Sequence, residues 1–264
     1  MTKDTAKLRL GGMALRNGLL VHGPTHWAAA VRTDAGAVRV ASGPKPRLRR
    51  VDGIPGVRAV ARLAESFAVI PLAKRGLPEA RLPFQDPGVV AVAAGASLGG
   101  TLLRRRVAGV AGEAAAAVVS FAPALFALRG GELAAYHGVE HKAIGAYEAD
   151  DADAADATKE HDRCGSHLVA PMLAANLAGT VLLRRAVERP GPLAGGAVAL
   201  ASTAAAVEVF AWCERHAETR TARLLKRPGF EIQRAVGTRE PDERQLEVGR
   251  AALAEILRVE PPPH

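Results

Sequence analysis

The alternation of apolar and polar positions changes character along the chain. Residues 27–32 and 37–41 are short apolar runs flanking Asp34-Ala35-Gly36, a pattern that predicts a β-hairpin closed by a glycine-containing loop. Val60, Leu63, Phe67, Ile70 and Leu72 then recur at helical spacing and predict an amphipathic helix. A proline-punctuated connector follows through Leu77-Pro78, Leu82-Pro83 and Asp86-Pro87. Four long apolar stretches come next. Residues 87–103 carry no charge, 107–128 only Glu113, 164–183 no Asp, Glu, Lys or Arg, and 190–213 only Glu208. In the tail, Pro241 is placed to start a helix whose buried stripe is Leu246, Leu253, Ile256 and Leu257.

A helix that crosses a bilayer needs about 20 mainly apolar residues, which makes these stretches four candidate spans. Arg104, Arg105 and Arg106 separate the first two, and Arg184, Arg185 and Arg189 the last two, so they read as two helical hairpins with charged tips. Gly95, Gly99, Gly100, Gly179, Gly195 and Gly196 would let such helices approach closely in lipid. The competing pattern, buried helices of a soluble alanine-rich bundle, stays open at this point because Ala and Gly contribute little transfer energy. The expected fold is mainly α: a helical membrane protein with about four apolar helices and a small N-terminal β-containing region. It divides into 1–86, a membrane region 87–213 enclosing a loop at 129–166, and an amphipathic tail 214–264. Four spans place the three polar parts on one side. Near the spans that side carries about twice the Lys and Arg of the tips, which favours its being the cytoplasmic side.

Composition narrows the classes. The chain has 264 residues, 48% of them hydrophobic, and 27 Gly, which excludes disorder for most of its length. Two cysteines, Cys164 and Cys213, exclude a disulfide scaffold. The net charge is +8, but it is divided: residues 1–86 hold 15 basic and 6 acidic groups, residues 129–166 hold 4 and 9. The basic part offers only Trp27, Phe67 and Phe84 for stacking on bases, so nucleic acid is not the expected partner. The partners expected are the lipid bilayer and an unidentified substrate, with homo-oligomerisation left open. No basic segment followed by an apolar run and a cleavage site opens the chain, so no cleaved secretory signal is expected.

The sharpest local feature is Tyr136-His137-Gly138-Val139-Glu140-His141-Lys142, which contains H-x-x-E-H, the inverted zincin motif. On a helix, His137 and His141 share a face and can converge on one metal ion, while Glu140 is the candidate general base. Two unrelated surface histidines are the plain alternative. His161 and Cys164, three residues apart, add an imidazole and a thiol, and zinc suits that mixture. Taken alone, Cys164 reads as a small buried residue. Glu148, seven residues after His141, is a further ligand or a partner that orients a histidine, and Glu208 is a candidate ligand from a later helix. Residues 148–156 form an acidic run that reads as a solvated loop.

Four separated motifs in order resemble the YqhQ family, bacterial membrane proteins described as predicted metal-dependent enzymes. Residues 11–24 are similar to that family's opening GGQAVIEGVMMRGP, 136–147 to its YHGxEHK stretch, 161–165 to its HPRCG and 238–242 to its TREPD. Met13 stands where the family has Gln, and Asn17 where it has Glu, so a charge carried there in the family is absent here unless Glu65 or Glu240 supplies it. The resemblance implies an integral membrane protein. The reaction that best suits H-x-x-E-H is hydrolysis of a peptide or amide bond by metal-activated water. The alternatives are a scaffold or assembly factor with a structural metal, in which four protein ligands close the site, and transport, in which Glu113 and Glu208 would line a pathway.

Overall fold

The computed structural model describes residues 7–48, 57–107, 109–129, 131–150, 153–188 and 190–261. Arg189 of the second predicted tip, and Asp151 and Ala152 of the acidic run, lie outside the described residues. The chain is mainly helical, with an N-terminal antiparallel sheet of four strands in sequential order: β1 (Gly11–Leu15), β2 (Gly18–His22), β3 (His26–Arg32) and β4 (Val38–Pro44). The β3–β4 pair is the predicted hairpin, in register from His26 opposite Pro44 to Arg32 opposite Val38. The opening motif forms a second hairpin, with Gly11 opposite His22.

Both faces of the central strands are buried, which is why β2 and β3 read as continuous apolar runs rather than as alternation. On one face Leu19, Val21, Ala28 and Ala30 pack with α5 (Glu132–Ala149) and α9 (Glu243–Val259), through Tyr136, Val139, Ile144, Val248, Ala252 and Ile256. On the other, Leu20, Trp27, Ala29 and Val31 pack on Val69, Ala73 and Leu77, around α1 (Val57–Gly76) and the start of its connector. The N-terminal sheet, the motif helix and the tail helix therefore share one core.

Among the described residues, four helical stretches are long and apolar enough to cross a membrane: Pro87–Arg106, Gly109–Leu128, Gly165–Ala186 and Leu193–Arg215. Their outward residues, among them Leu98, Val118, Leu182 and Leu200, are exposed, a surface suited to lipid and not to water. They correspond to α2 (Pro87–Arg106), α3 (Gly109–Val119) with α4 (Ala122–Leu128), a short 3₁₀ turn Gly165–Leu168 leading into α6 (Val169–Ala186), and α7 (Pro192–Arg215). The α2–α3 and α6–α7 pairs are the two expected hairpins, joined by packing of α3 on α6. Glu113, buried near the start of α3, meets Arg104 at 3.0 Å and Arg184 at 2.6 Å, so one carboxylate ties both tips together.

Several details depart from the sequence pattern. The second span is interrupted at Ser120 and Phe121 ahead of Pro123, since proline lacks the N–H that an unbroken helix needs. Gly179 lies against Val198 and Gly100 against Ala116, but Gly95, Gly195 and Gly196 face open space. The face of α1 is rotated, with Val69 and Ala73 buried and Phe67 57% exposed. Pro241 does not start the last helix. Asp242 caps α9 through the Gln245 N–H and Gln245 returns the bond, placing Pro241 outside the cap. Its buried stripe is Leu246, Val248, Gly249, Ala252 and Ile256, while Leu257 is exposed. A basic amphipathic helix absent from the sequence reading, α8 (Arg220–Ile232), leaves α7 with Leu224 and Leu225 exposed beside Arg220, Arg223 and Arg227.

Candidate metal centre

Helix α5 presents the H-x-x-E-H residues from its buried middle, packed between the sheet and α9. The four-residue spacing places His137 and His141 one turn apart, with ring centroids 4.4 Å from each other. Cys164 comes from the loop before α6, where its extended backbone caps the 3₁₀ turn. One ligand atom from each of His137, His141 and Cys164 lies within 4.8 Å of the others. Tetrahedral zinc with ligands at about 2.0–2.3 Å separates its donors by about 3.5 Å, so small side-chain rotations would close the group.

The hydrogen bonds fix which nitrogens face inward. His137 Nδ1–H donates to the Gly237 carbonyl at 2.8 Å, and His141 Nδ1–H donates to the Lys159 carbonyl at 2.7 Å. A carbonyl only accepts, so both Nδ1 atoms carry the proton and both Nε2 atoms keep a lone pair. His137 Nε2 lies 3.4 Å from Cys164 Sγ, while His141 Nε2 is buried with no hydrogen-bond partner among the described residues. A buried acceptor without a partner is costly, and backbone-anchored imidazoles are how histidine ligands are oriented. The three side chains therefore fit a divalent transition metal.

Burial dominates the electrostatics. It lowers the His141 pKa to about 3, keeping the imidazole neutral, and pushes the Cys164 thiol up to about 11. Burial also raises the Glu140 carboxyl, and the neighbouring His137 partly opposes the rise. Glu140 shares a cavity with His137, His141 and Cys164. The opening motif makes room for it: a Cβ on Gly12 would stand 2.7 Å from Glu140 Cγ and 2.8 Å from its Oε1.

His161 lines the same cavity, its ring 5.6 Å from that of His141, but both of its nitrogens are engaged. Nε2–H donates to Glu148 Oε2 at 3.2 Å and Nδ1 accepts from the Arg163 N–H at 3.2 Å. Glu148 also holds the Arg163 guanidinium, so it orients His161. Glu208 is half-buried on α7 and does not line the cavity. Asn17 sits in the β1–β2 turn, where its amide bonds the carbonyls of Arg32 and Glu79 and the N–H of Arg81. Glu65 pairs with Arg62 and Glu240 with Lys142, and neither lines the cavity.

The remaining motif residues hold this frame. Lys142 donates to the Ala155 and Ala157 carbonyls and pairs with Glu240 at 2.7 Å, joining α5 to the 153–157 loop and to the segment before α9. Gly138 leaves space for the Arg239 carbonyl, whose own N–H bonds the Ala134 carbonyl at 2.9 Å. Two contributors have no signature in the sequence. A π-helical turn, Gln233–Gly237, aims the Gly237 carbonyl at His137, the kind of irregularity that clusters at functional sites. Gln233, fully buried, bonds His161 through both its amide atoms and also reaches Ser166 and His167. Only their position just ahead of Thr238-Arg239-Glu240-Pro241-Asp242 hints at either.

No curated protein and no solved structure matches the chain. One family does match, over residues 132–259, a stretch that begins at α5 and ends at the last residue of α9 and so encloses every residue of the triad. Over that stretch the chain is similar to the family described as a protein of unknown function (DUF1385), consistent with the YqhQ-like motifs.

Proposed function

We propose that the protein is a zinc-dependent hydrolase of the inner membrane that cleaves a peptide or amide bond, its polar parts on the cytoplasmic side. The observation that carries this reading is the three-ligand group with the unpartnered Nε2 of His141, set beside Glu140. Three protein ligands leave a fourth position free for water, the arrangement of catalytic rather than structural zinc. When bound, the ion supplies a Lewis acid that makes water a nucleophile near neutral pH. His137 and His141 hold their ligand nitrogens inward through the Gly237 and Lys159 carbonyls. Glu140 accepts a proton from the attacking water and passes it to the leaving amine, as the glutamate of H-x-x-E-H is suited to do.

A structural metal is the second reading, and the nearness of His161 favours it: exchanging Glu148 for the metal would close the site with four ligands. Transport is less well supported, because Glu113 is held by two arginines. Elemental analysis of the detergent-purified protein separates these. About one zinc per chain, lost in His137→Ala and His141→Ala but kept in Glu140→Gln and His161→Ala, is expected of the open site. Metal loss in His161→Ala would favour the closed one, and no metal after supplementation would refute both.

A further inference from the structure

We infer that the cavity beside the metal group takes the acyl chain of an amphiphile arriving from the bilayer, so that the bond presented to Glu140 is the amide of an acylated molecule. This rests on the hydrolase reading above and names its substrate class.

The cavity, about 670 Å³, is lined by both polar and apolar side chains, and most of its wall is apolar. Its polar lining includes Glu140 and the grouped His137, His141 and Cys164. The apolar lining includes Leu63, Phe84, Val89, Ala127, Leu128 and Leu133. Val89 belongs to the first turn of α2 and Ala127 and Leu128 to the last turn of α4. The wall is thus made from the near ends of two helices apolar enough to cross a membrane. Apolar side chains continue outward on the same elements, with Phe67 of α1, Phe84, Val90 of α2 and Leu125 of α4 all more than half exposed.

A water-borne polar substrate gains nothing from such a wall. A hydrocarbon chain moving into it from lipid exchanges one apolar surrounding for another, which leaves the polar headgroup to find the metal ligands. Size selects the form of the chain. The volume lies within the range of small-molecule sites of about 300–1,000 Å³. A helix is about 10–12 Å across with its side chains, and two turns of one would overfill it. A single extended chain is what fits.

The reaction balances without a further reactant. The water oxygen ends on the acyl carbon, the carbon–nitrogen bond breaks, and the amine leaves with a proton carried by Glu140, giving a fatty acid and a free amine.

The test uses the full chain in phosphatidylethanolamine–phosphatidylglycerol vesicles with N-hexadecanoylglycinamide bearing a diazirine near the chain end. Crosslinks are expected on peptides containing Leu63, Phe84 or Ala127, competed by unlabelled N-hexadecanoylglycinamide and not by N-acetylglycinamide. Ala127→Trp should reduce them about tenfold or more with zinc content unchanged. Leu63→Trp, on a different element, should do the same if the first variant fails to fold. Crosslinks spread evenly over lipid-facing positions such as Leu98 and Leu200, or insensitive to the competitor, would overturn the inference. Labelling of the cavity that persists after zinc is stripped, with no hydrolysis when it is restored, would retain the acyl site and refute the hydrolase. Zinc binding with no cavity labelling would do the reverse.

Discussion

Gly138 offers a test of the metal centre that needs no substrate. A Cβ there would overlap the Arg239 carbonyl oxygen, a backbone atom, so Gly138→Ala forces α5 and the segment before α9 apart by about 1 Å to restore normal contact. Overpacking of this kind costs about 1–3 kcal/mol, and weakening the Arg239 N–H bond to the Ala134 carbonyl adds about 1 kcal/mol. Replacing a helical glycine by alanine returns about 0.5–1 kcal/mol, leaving a net loss of about 1–3 kcal/mol. In a chain of this size that lowers the melting temperature by about 3–10 °C. Gly237, two residues before Arg239, orients His137, so zinc affinity should also fall about 10- to 100-fold. Gly145→Ala on the same helix is the control, because its Cβ would meet nothing nearer than the His161 ring at 3.8 Å. It should be neutral or slightly stabilising. Thermal melting in detergent and competitive zinc titration check both variants. Equal behaviour of the two, or unchanged zinc affinity in Gly138→Ala, would refute the argument that this contact holds the ligand frame.

Zinc affinity should rise about tenfold per pH unit between pH 6 and 8, because binding must expel the proton of Cys164, whose thiol burial pushes up to about 11, while His141, held at about 3, has none to lose on Nε2. A titration flat with pH would remove Cys164 from the ligand set. Gly12→Ala, whose Cβ presses on Glu140, should keep its zinc and lose about 100-fold in hydrolysis of the hexadecanoyl probe, since a displacement near 1 Å is that costly in a positioned site. Full activity would place Glu140 outside the chemistry. Glu113→Ala should leave Arg104 and Arg184 repelling each other at the tips and lower the melting temperature by several degrees, with zinc content unchanged. Loss of zinc instead would show that the tips and the metal centre are coupled.

Much of this architecture was legible in the chain because it follows from local pattern. The apolar stretches became helices long enough to cross a membrane, Asp34-Ala35-Gly36 closed a hairpin, and the four-residue spacing put His137 and His141 on one face of α5. Those outcomes depend on periodicity and length, which the sequence carries directly. The exposed Phe67 was not legible, because it depends on which face of α1 a neighbour covers, whereas the interruption at Ser120–Phe121 follows from Pro123, a local signal inside an otherwise continuous apolar run.

The candidate site divides along the same line. By itself the sequence determined the residue types able to bind a metal and the α5 spacing that brings two of them together. Only the tertiary structure brought Cys164 to that pair and engaged His161 with Glu148 and Arg163. It also set Gly12 against Glu140 and aimed the Gly237 carbonyl at His137 across 100 positions of chain. A ligand set is a matter of which lone pairs remain free, and that is settled by hydrogen bonds between distant segments, which no local pattern records.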